Sequence, residues 1–159
     1  MSTRRTPRLQ IVVVGRVRPP FDVAAREYER RIADRVPLVV AEVATEPLQH
    51  GDDQVLRREG ERLRSRILPG SWRVALDPAG RAPGSSEDFA RWLERRLDDP
   101  RPTSFLVGGA MGLPPDLAAQ AEERMSLGPL TLPHQLARVV LGEQVYRALA
   151  ALAGHPYAH

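Results

Sequence analysis

The residue types that could hold a ligand or move a proton gather in the last third of the chain. Ser104–Val107 reads as a buried strand running into Gly108-Gly109-Ala110-Met111-Gly112, where glycine lets main chain approach a ligand with no side chain between. A second turn of the same character, Leu127-Gly128-Pro129-Leu130, lies within reach if the two strands are neighbours. Then come Pro133-His134, a long helix, and the tail Gly154-His155-Pro156-Tyr157-Ala158-His159. Two glycine turns at the ends of consecutive strands suggest one small-molecule pocket built largely of backbone. A plain turn is the commoner use of glycine after a strand, so spacing alone leaves that alternative open.

Several chemistries lack their residues. No Gly-x-Gly-x-x-Gly and no Gly-Lys-Ser/Thr is present, so the usual pyrophosphate cradles are missing. His50, His134, His155 and His159 are scattered without paired ligand spacing, and cysteine is absent, so no metal is expected. No serine sits in a Gly-x-Ser-x-Gly elbow. What remains is a cofactor that main chain can hold, such as the adenosine and sulfonium of S-adenosylmethionine. Leu76, Leu127, Leu130 and Leu132 are available as apolar walls.

Composition sets the frame for that pocket. The 159 residues, 42% hydrophobic and 27% charged, read as one soluble globular domain spanning 1–159. No apolar run approaches the roughly 20 residues of a membrane span, and Met1–Arg5 leads into a strand and not a signal peptide, so the expected address is the cytoplasm. The sequence pI near 10.1 overstates the basic field. Net charge is only +3, and all 23 basic residues are arginine. An all-arginine set suits phosphate and base stacking, though genome composition explains it equally well.

Strands are expected at Leu9–Val14, Val36–Val43, Trp72–Leu76, Thr103–Val107 and, briefly, Leu130–Leu132. Helices are expected from Phe21 with a stripe of Ala25, Tyr28 and Ile32, and over about 52–68 with Leu56, Leu63 and Ile67 inward. Others start at Ser85 or Ser86 with Asp88 in a capping-box position, run from Pro114-Pro115 to about Arg124, and span about 134–153. Gly60 in mid-helix costs about 1 kcal/mol against alanine, which suggests close packing there. This alternation predicts an α/β three-layer sandwich with a mainly parallel sheet, whose ligands bind outside the carboxyl ends of strands. Gly15, Asp77–Gly80, Gly108–Gly112 and the turn before Leu130 are the candidate sites, the last three being the richer ones.

Three segments carry a family resemblance. Leu106-Val107-Gly108-Gly109-Ala110-Met111-Gly112-Leu113, the run from Leu130 to Leu141 (Leu-Thr-Leu-Pro-His-Gln-Leu-Ala-Arg-Val-Val-Leu), and Glu143-Gln144-Val145-Tyr146-Arg147-Ala148 are similar to the ribosomal large subunit methyltransferase H family, of SPOUT class. Glu27–Arg31 and Glu59-Gly60-Glu61 fit as well, and the likeness spans nearly the whole chain. The resemblance implies methylation of N3 of a pseudouridine in 23S rRNA, within the assembled ribosome, by a homodimer whose C-terminal third forms a trefoil knot. It implies S-adenosylmethionine contacts at Leu76, Gly108, Gly109, Leu127, Gly128, Pro129, Leu130, Thr131 and Leu132.

The tail departs from the family pattern. The family usually ends Tyr-His-Lys/Arg, whereas this chain ends Tyr157-Ala158-His159, and Met111 stands where a polar residue is frequent. His159 or His155 is expected to replace part of the missing group, so His159, Tyr157, His155 and Arg147 are the expected catalytic residues. Glu143 lies four residues before Arg147 and is expected to pair with it or across the dimer. Pro133-His134 reads as a helix start with an exposed histidine and receives no catalytic role. The alternative reading is a ribosome- or RNA-binding protein that keeps the cofactor pocket but no longer transfers methyl.

Overall fold

Alternate residues of Leu9–Val14 enter two different cores, which is why this strand (β1) is apolar at every position but Gln10. Leu9, Ile11 and Val13 face one cluster, with Ile32, Phe89, Leu93, Leu141 and Val145. Val12 and Val14 face the other, with Leu63, Leu106 and Leu117. A computed structural model describes residues 5–159; the first four residues of the expected N-terminal lead, Met1 to Arg4, lie outside the described residues. Around β1 are β2 (Leu38–Val43), β3 (Trp72–Arg81), β4 (Thr103–Val107) and β5 (Glu123–Met125), in the order β2-β1-β4-β3-β5. Every pairing is parallel, so all carboxyl ends share one edge. The helices α1 (Phe21–Ala33), α3 (Ser86–Asp98) and α5 (His134–Leu152) contribute to the first core, and α2 (Asp52–Arg64) and α4 (Pro115–Gln120) to the second. The expected three-layer α/β architecture is the observed one.

Local chemistry sets the boundaries that differ from expectation. The helix expected to reach Leu68 stops at Arg64, because buried Gln10 accepts the Leu68 N–H (2.9 Å) and donates to the Arg66 carbonyl (2.7 Å). The helix expected to reach Arg124 ends at Gln120. There Glu122 accepts the Arg73 N–H (2.7 Å) and Glu123 accepts the Trp92 indole N–H (2.8 Å), drawing the chain into β5 beside Val74–Leu76. The fifth strand is therefore Glu123–Met125, and not Leu130–Leu132 as expected. The expected Asp77–Gly80 turn is a bulge inside β3: Met125 faces both Leu76 and Arg81, and Asp77 Oδ1 accepts the Ala79 N–H (2.9 Å).

Two local expectations hold. Ser85 caps α3 by accepting the Asp88 N–H at 3.0 Å. A Cβ on Gly60 would come within 2.7 Å of Pro114 Cγ, so α2 carries glycine where the residue that caps α4 packs on it.

Candidate functional site

The carboxyl ends of β4, β3 and β5 and the first turn of α5 enclose a cleft of about 600 Å³. Strand β3 gives Leu76, Asp77 and Pro78, and the β4 loop gives Gly108, Gly109 and Ala110. The segment after β5 gives Ser126, Leu127, Gly128, Leu130, Thr131 and Leu132, and α5 closes the space with His134 and Ala137. Of the nine expected cofactor contacts, eight line this cleft, and Pro129 is the one that does not. The two glycine turns do meet, though β4 and β5 are not neighbours and both flank β3.

The glycines have a different reason for being glycine than the sequence suggested. A Cβ on Gly108 would collide with the carbonyl group of Gly112 and the N–H of Leu113. On Gly109 it would sit 2.9 Å from Val14 Cγ1 and 3.1 Å from Glu59 Oε1. Both positions are buried, and what excludes a side chain is the packing of the loop itself, closed by the Gly112 N–H to the Gly109 carbonyl (3.0 Å). Gly15, the remaining turn candidate, lies outside the cleft walls, with its N–H on the Val43 carbonyl.

After β5 the chain turns on a hydroxyl. Ser126 Oγ donates to the Gly128 carbonyl (2.7 Å) and accepts the Gly128 N–H (3.1 Å), with Gly128 at φ +137°. That ring turns the chain out of strand geometry, and Leu130 ends 80% exposed at the lip. Asp77 is fixed opposite. Burial alone would raise its carboxyl, but the Ala79 N–H and the Arg124 guanidinium, 2.6 Å away, together hold it below the usual range. His134 is half-buried in the cleft wall and not an exposed helix-start residue. Loss of water around its ring lowers its pKa from the ordinary histidine value.

The four residues expected to be catalytic form no part of those walls. Tyr157 donates its hydroxyl toward Glu143 Oε1 and Tyr28 Oη, both 3.1 Å away, and packs edge-on against Tyr146. Burial and these acceptor contacts push its phenol upward. Arg147 is taken up by Glu143 at 2.6 Å, the intrahelical pair the spacing suggested, and its guanidinium sits 5.2 Å from the Tyr157 ring centre. His155 Nδ1 accepts the Tyr157 N–H (3.2 Å), and His159 is exposed. Arg138 is buried against Glu29 (2.8 Å) and Glu42 (2.6 Å), locking α5 to α1 and β2.

Two carboxylates sit behind the β4 loop, and sequence reasoning gave neither a role. Glu59 is 3% exposed, with Oε2 accepting the Glu46 N–H (3.3 Å) and Oε1 without a hydrogen-bond partner beside Gly109. Burial raises its carboxyl. Glu46 goes the other way, to about 2, because His50 and Arg62 both donate to it. A glutamate one residue before a mid-helix glycine was the available signal for Glu59.

The fold and cleft place the chain in a class. The family described as predicted SPOUT methyltransferase matches residues 8–159. Two solved structures have the same fold: a probable methyltransferase of Bordetella pertussis Tohama I and a probable methylase family protein of Haemophilus influenzae Rd KW20. The first has TM-score 0.55 and 15% identity, over 90% of this chain and 95% of that one. The second has TM-score 0.56 and 10% identity, over 93% of this chain and 69% of that one.

Sequence relatives narrow the class. Ribosomal RNA large subunit methyltransferase H of Ectopseudomonas mendocina (strain ymp) is 40% identical over 153 residues, covering 94% of this chain and 98% of that protein. The protein of the same name from Gemmatimonas aurantiaca (strain DSM 14586 / JCM 11422 / NBRC 100505 / T-27) is 43% identical over 152 residues, at the same coverage of both. This chain belongs to the SPOUT methyltransferases and, within them, to the ribosomal RNA large subunit methyltransferase H family.

Proposed function

We propose that this protein transfers methyl from S-adenosylmethionine to N3 of a pseudouridine in 23S rRNA, acting on the assembled ribosome as a homodimer. The observation that carries the reading is the cleft. Its volume of about 600 Å³ lies in the range of small-molecule sites. Its walls are leucine, proline and methionine side chains interrupted by main chain at Gly108, Gly109 and Gly128, a donor set suited to an apolar, flat adenine with a few edge hydrogen bonds. Leu76 and Leu127 to Leu132, Pro129 apart, would hold the cofactor, which when bound supplies an electrophilic methyl on a sulfonium. The trefoil knot belongs to the same reading.

The residues then divide the work. The leucine walls exclude water, which strengthens every polar interaction inside. Asp77, kept ionised by Arg124, presents no proton to compete with the acceptor. Exposed Arg16 and Arg18, on the loop after β1 at the same edge, suit phosphate contacts. What supports a dimer is the tail: Tyr157 is anchored on the α1–α5 side, so a tail that assists transfer would serve a partner's cleft.

Mass spectrometry of 23S rRNA nucleosides tests the reading. A strain lacking the gene should lose one N3-methylpseudouridine and regain it on complementation. An unchanged nucleoside profile would favour the alternative reading, an RNA-binding protein with Ala158 in place of the usual tail histidine.

A further inference from the structure

We propose that His134, at the start of α5, is the catalytic base that takes the N3 proton from the acceptor base. The inference rests on the methyl-transfer reading above. An N3 that still carries its proton has no free pair in the plane of the ring, so the proton must leave as the new bond forms. N3 keeps the electron pair of its N–H bond and uses it to bond the methyl carbon. The departing sulfur keeps the pair of the broken C–S bond and loses its positive charge. The proton, and with it the charge, comes to rest on a ring nitrogen of His134 and then passes to water.

Elimination within the cleft leads to this residue. Four side chains in the walls can exchange protons: Asp77, Ser126, Thr131 and His134. Asp77 Oδ2 is held by Arg124 and Oδ1 by the Ala79 N–H, and an ionised carboxylate so engaged is a weak base. Ser126 Oγ is committed to both polar groups of Gly128. A threonine hydroxyl is not basic. His134 is different: among the described residues neither ring nitrogen has a hydrogen-bond partner, and the half-buried ring lines the cleft.

The surroundings keep the imidazole neutral. It is the first residue of a 19-residue helix, where the unpaired N–H groups of the first turn oppose a positive charge. Removal from water acts in the same direction. The charged groups nearby are occupied elsewhere: Asp77 by Arg124 across the cleft, and Arg138, one turn along α5, by Glu29 and Glu42. Gln135 accepts the Arg18 N–H (2.8 Å), fixing the first turn. A neutral base with a pKa near the working pH is the useful kind. The tail histidines are the rival bases, and neither lines the cleft of its own chain.

The test compares wild type, His134→Asn and a chain truncated after Tyr157. Calorimetric binding of S-adenosylhomocysteine to the wild type comes first, because its absence would sink the cofactor reading itself. Given binding, the His134→Asn affinity should stay within about threefold while single-turnover methylation of ribosomes falls roughly 100- to 10,000-fold. The acidic limb of the pH–rate profile should vanish in that variant and persist in the truncated chain. Nitrogen-15 spectra should show a His134 ring neutral at pH 7 and perturbed by S-adenosylhomocysteine. The assignment is overturned by wild-type rates in His134→Asn, by a loss of affinity that accounts for the whole rate loss, by an acidic limb that disappears only on truncation, or by an imidazolium at pH 7.

Discussion

The cleft and the seam between α1 and α5 are built from opposite materials. The cleft is leucine, proline and bare backbone, with two titratable side chains. The seam is dense with charge: Arg138 between Glu29 and Glu42, Arg147 on Glu143, Tyr157 on Glu143 and Tyr28. Both draw on one stretch of sequence. Thr131 to Ala137 shapes the cleft, and from Arg138 to Arg147 the same helix turns its polar groups toward α1 and the tail. The residues that look chemical in the sequence are mostly fastening the molecule, and the bland ones line the cleft.

The sharpest way to break that contrast is to remove a fastener. Arg138 is 4% exposed and carries two carboxylates. Arg138→Met leaves Glu29 buried without its cation and should cost about 3–5 kcal/mol in urea unfolding. Arg138→Met with Glu29→Gln should recover part of that loss. If the single variant is as stable as wild type, the seam is no fastener.

Next in size is the loop. Gly108→Ala must displace the Gly112–Leu113 backbone and should cost about 1–3 kcal/mol by overpacking, with a matching loss of S-adenosylhomocysteine affinity. Behind the loop, Glu59 predicts a pH effect of defined sign. Its folded pKa is raised by burial, so its contribution is complete below about 4.5, the unfolded value, and is lost as pH rises through the folded value. Glu59→Gln cannot ionise, so its stability relative to wild type should grow over that same rise. Thermal unfolding from pH 4 to 8 reads this directly, and parallel curves for the two proteins would place the titration elsewhere.

Four of the five strands, the helix count and most cleft walls were legible in the sequence because they follow from local pattern. Leu9–Val14, apolar but for Gln10, reads as a strand buried on both sides, and glycine turns after strands lie at the edge where ligands bind. What escaped depended on long-range partners. Gln10 ends α2 from 56 residues away, and Trp92 helps make Glu123 a strand residue from α3. A knot would leave no local signature at all. His134 looked exposed because a proline followed by a polar residue normally starts a helix in water; only the packing of β3, β5 and α5 puts it in a cleft wall.

The smallest expected effect bears on the residue most easily misassigned. A tyrosine near the end of a methyltransferase invites a role in proton transfer. Here its hydroxyl lies between Glu143 and Tyr28, its ring is edge-on to Tyr146 at 4.7 Å, and its phenol is pushed upward, so it holds its proton at neutral pH. A group so engaged steadies the tail by one ordinary hydrogen bond. Tyr157→Phe should therefore cost about 0.5–1.5 kcal/mol in unfolding and leave the shape of the pH–rate profile unchanged. A rate loss of more than about tenfold without that stability loss would move Tyr157 from the seam to the chemistry, and the division between the two regions would then fail at the tail.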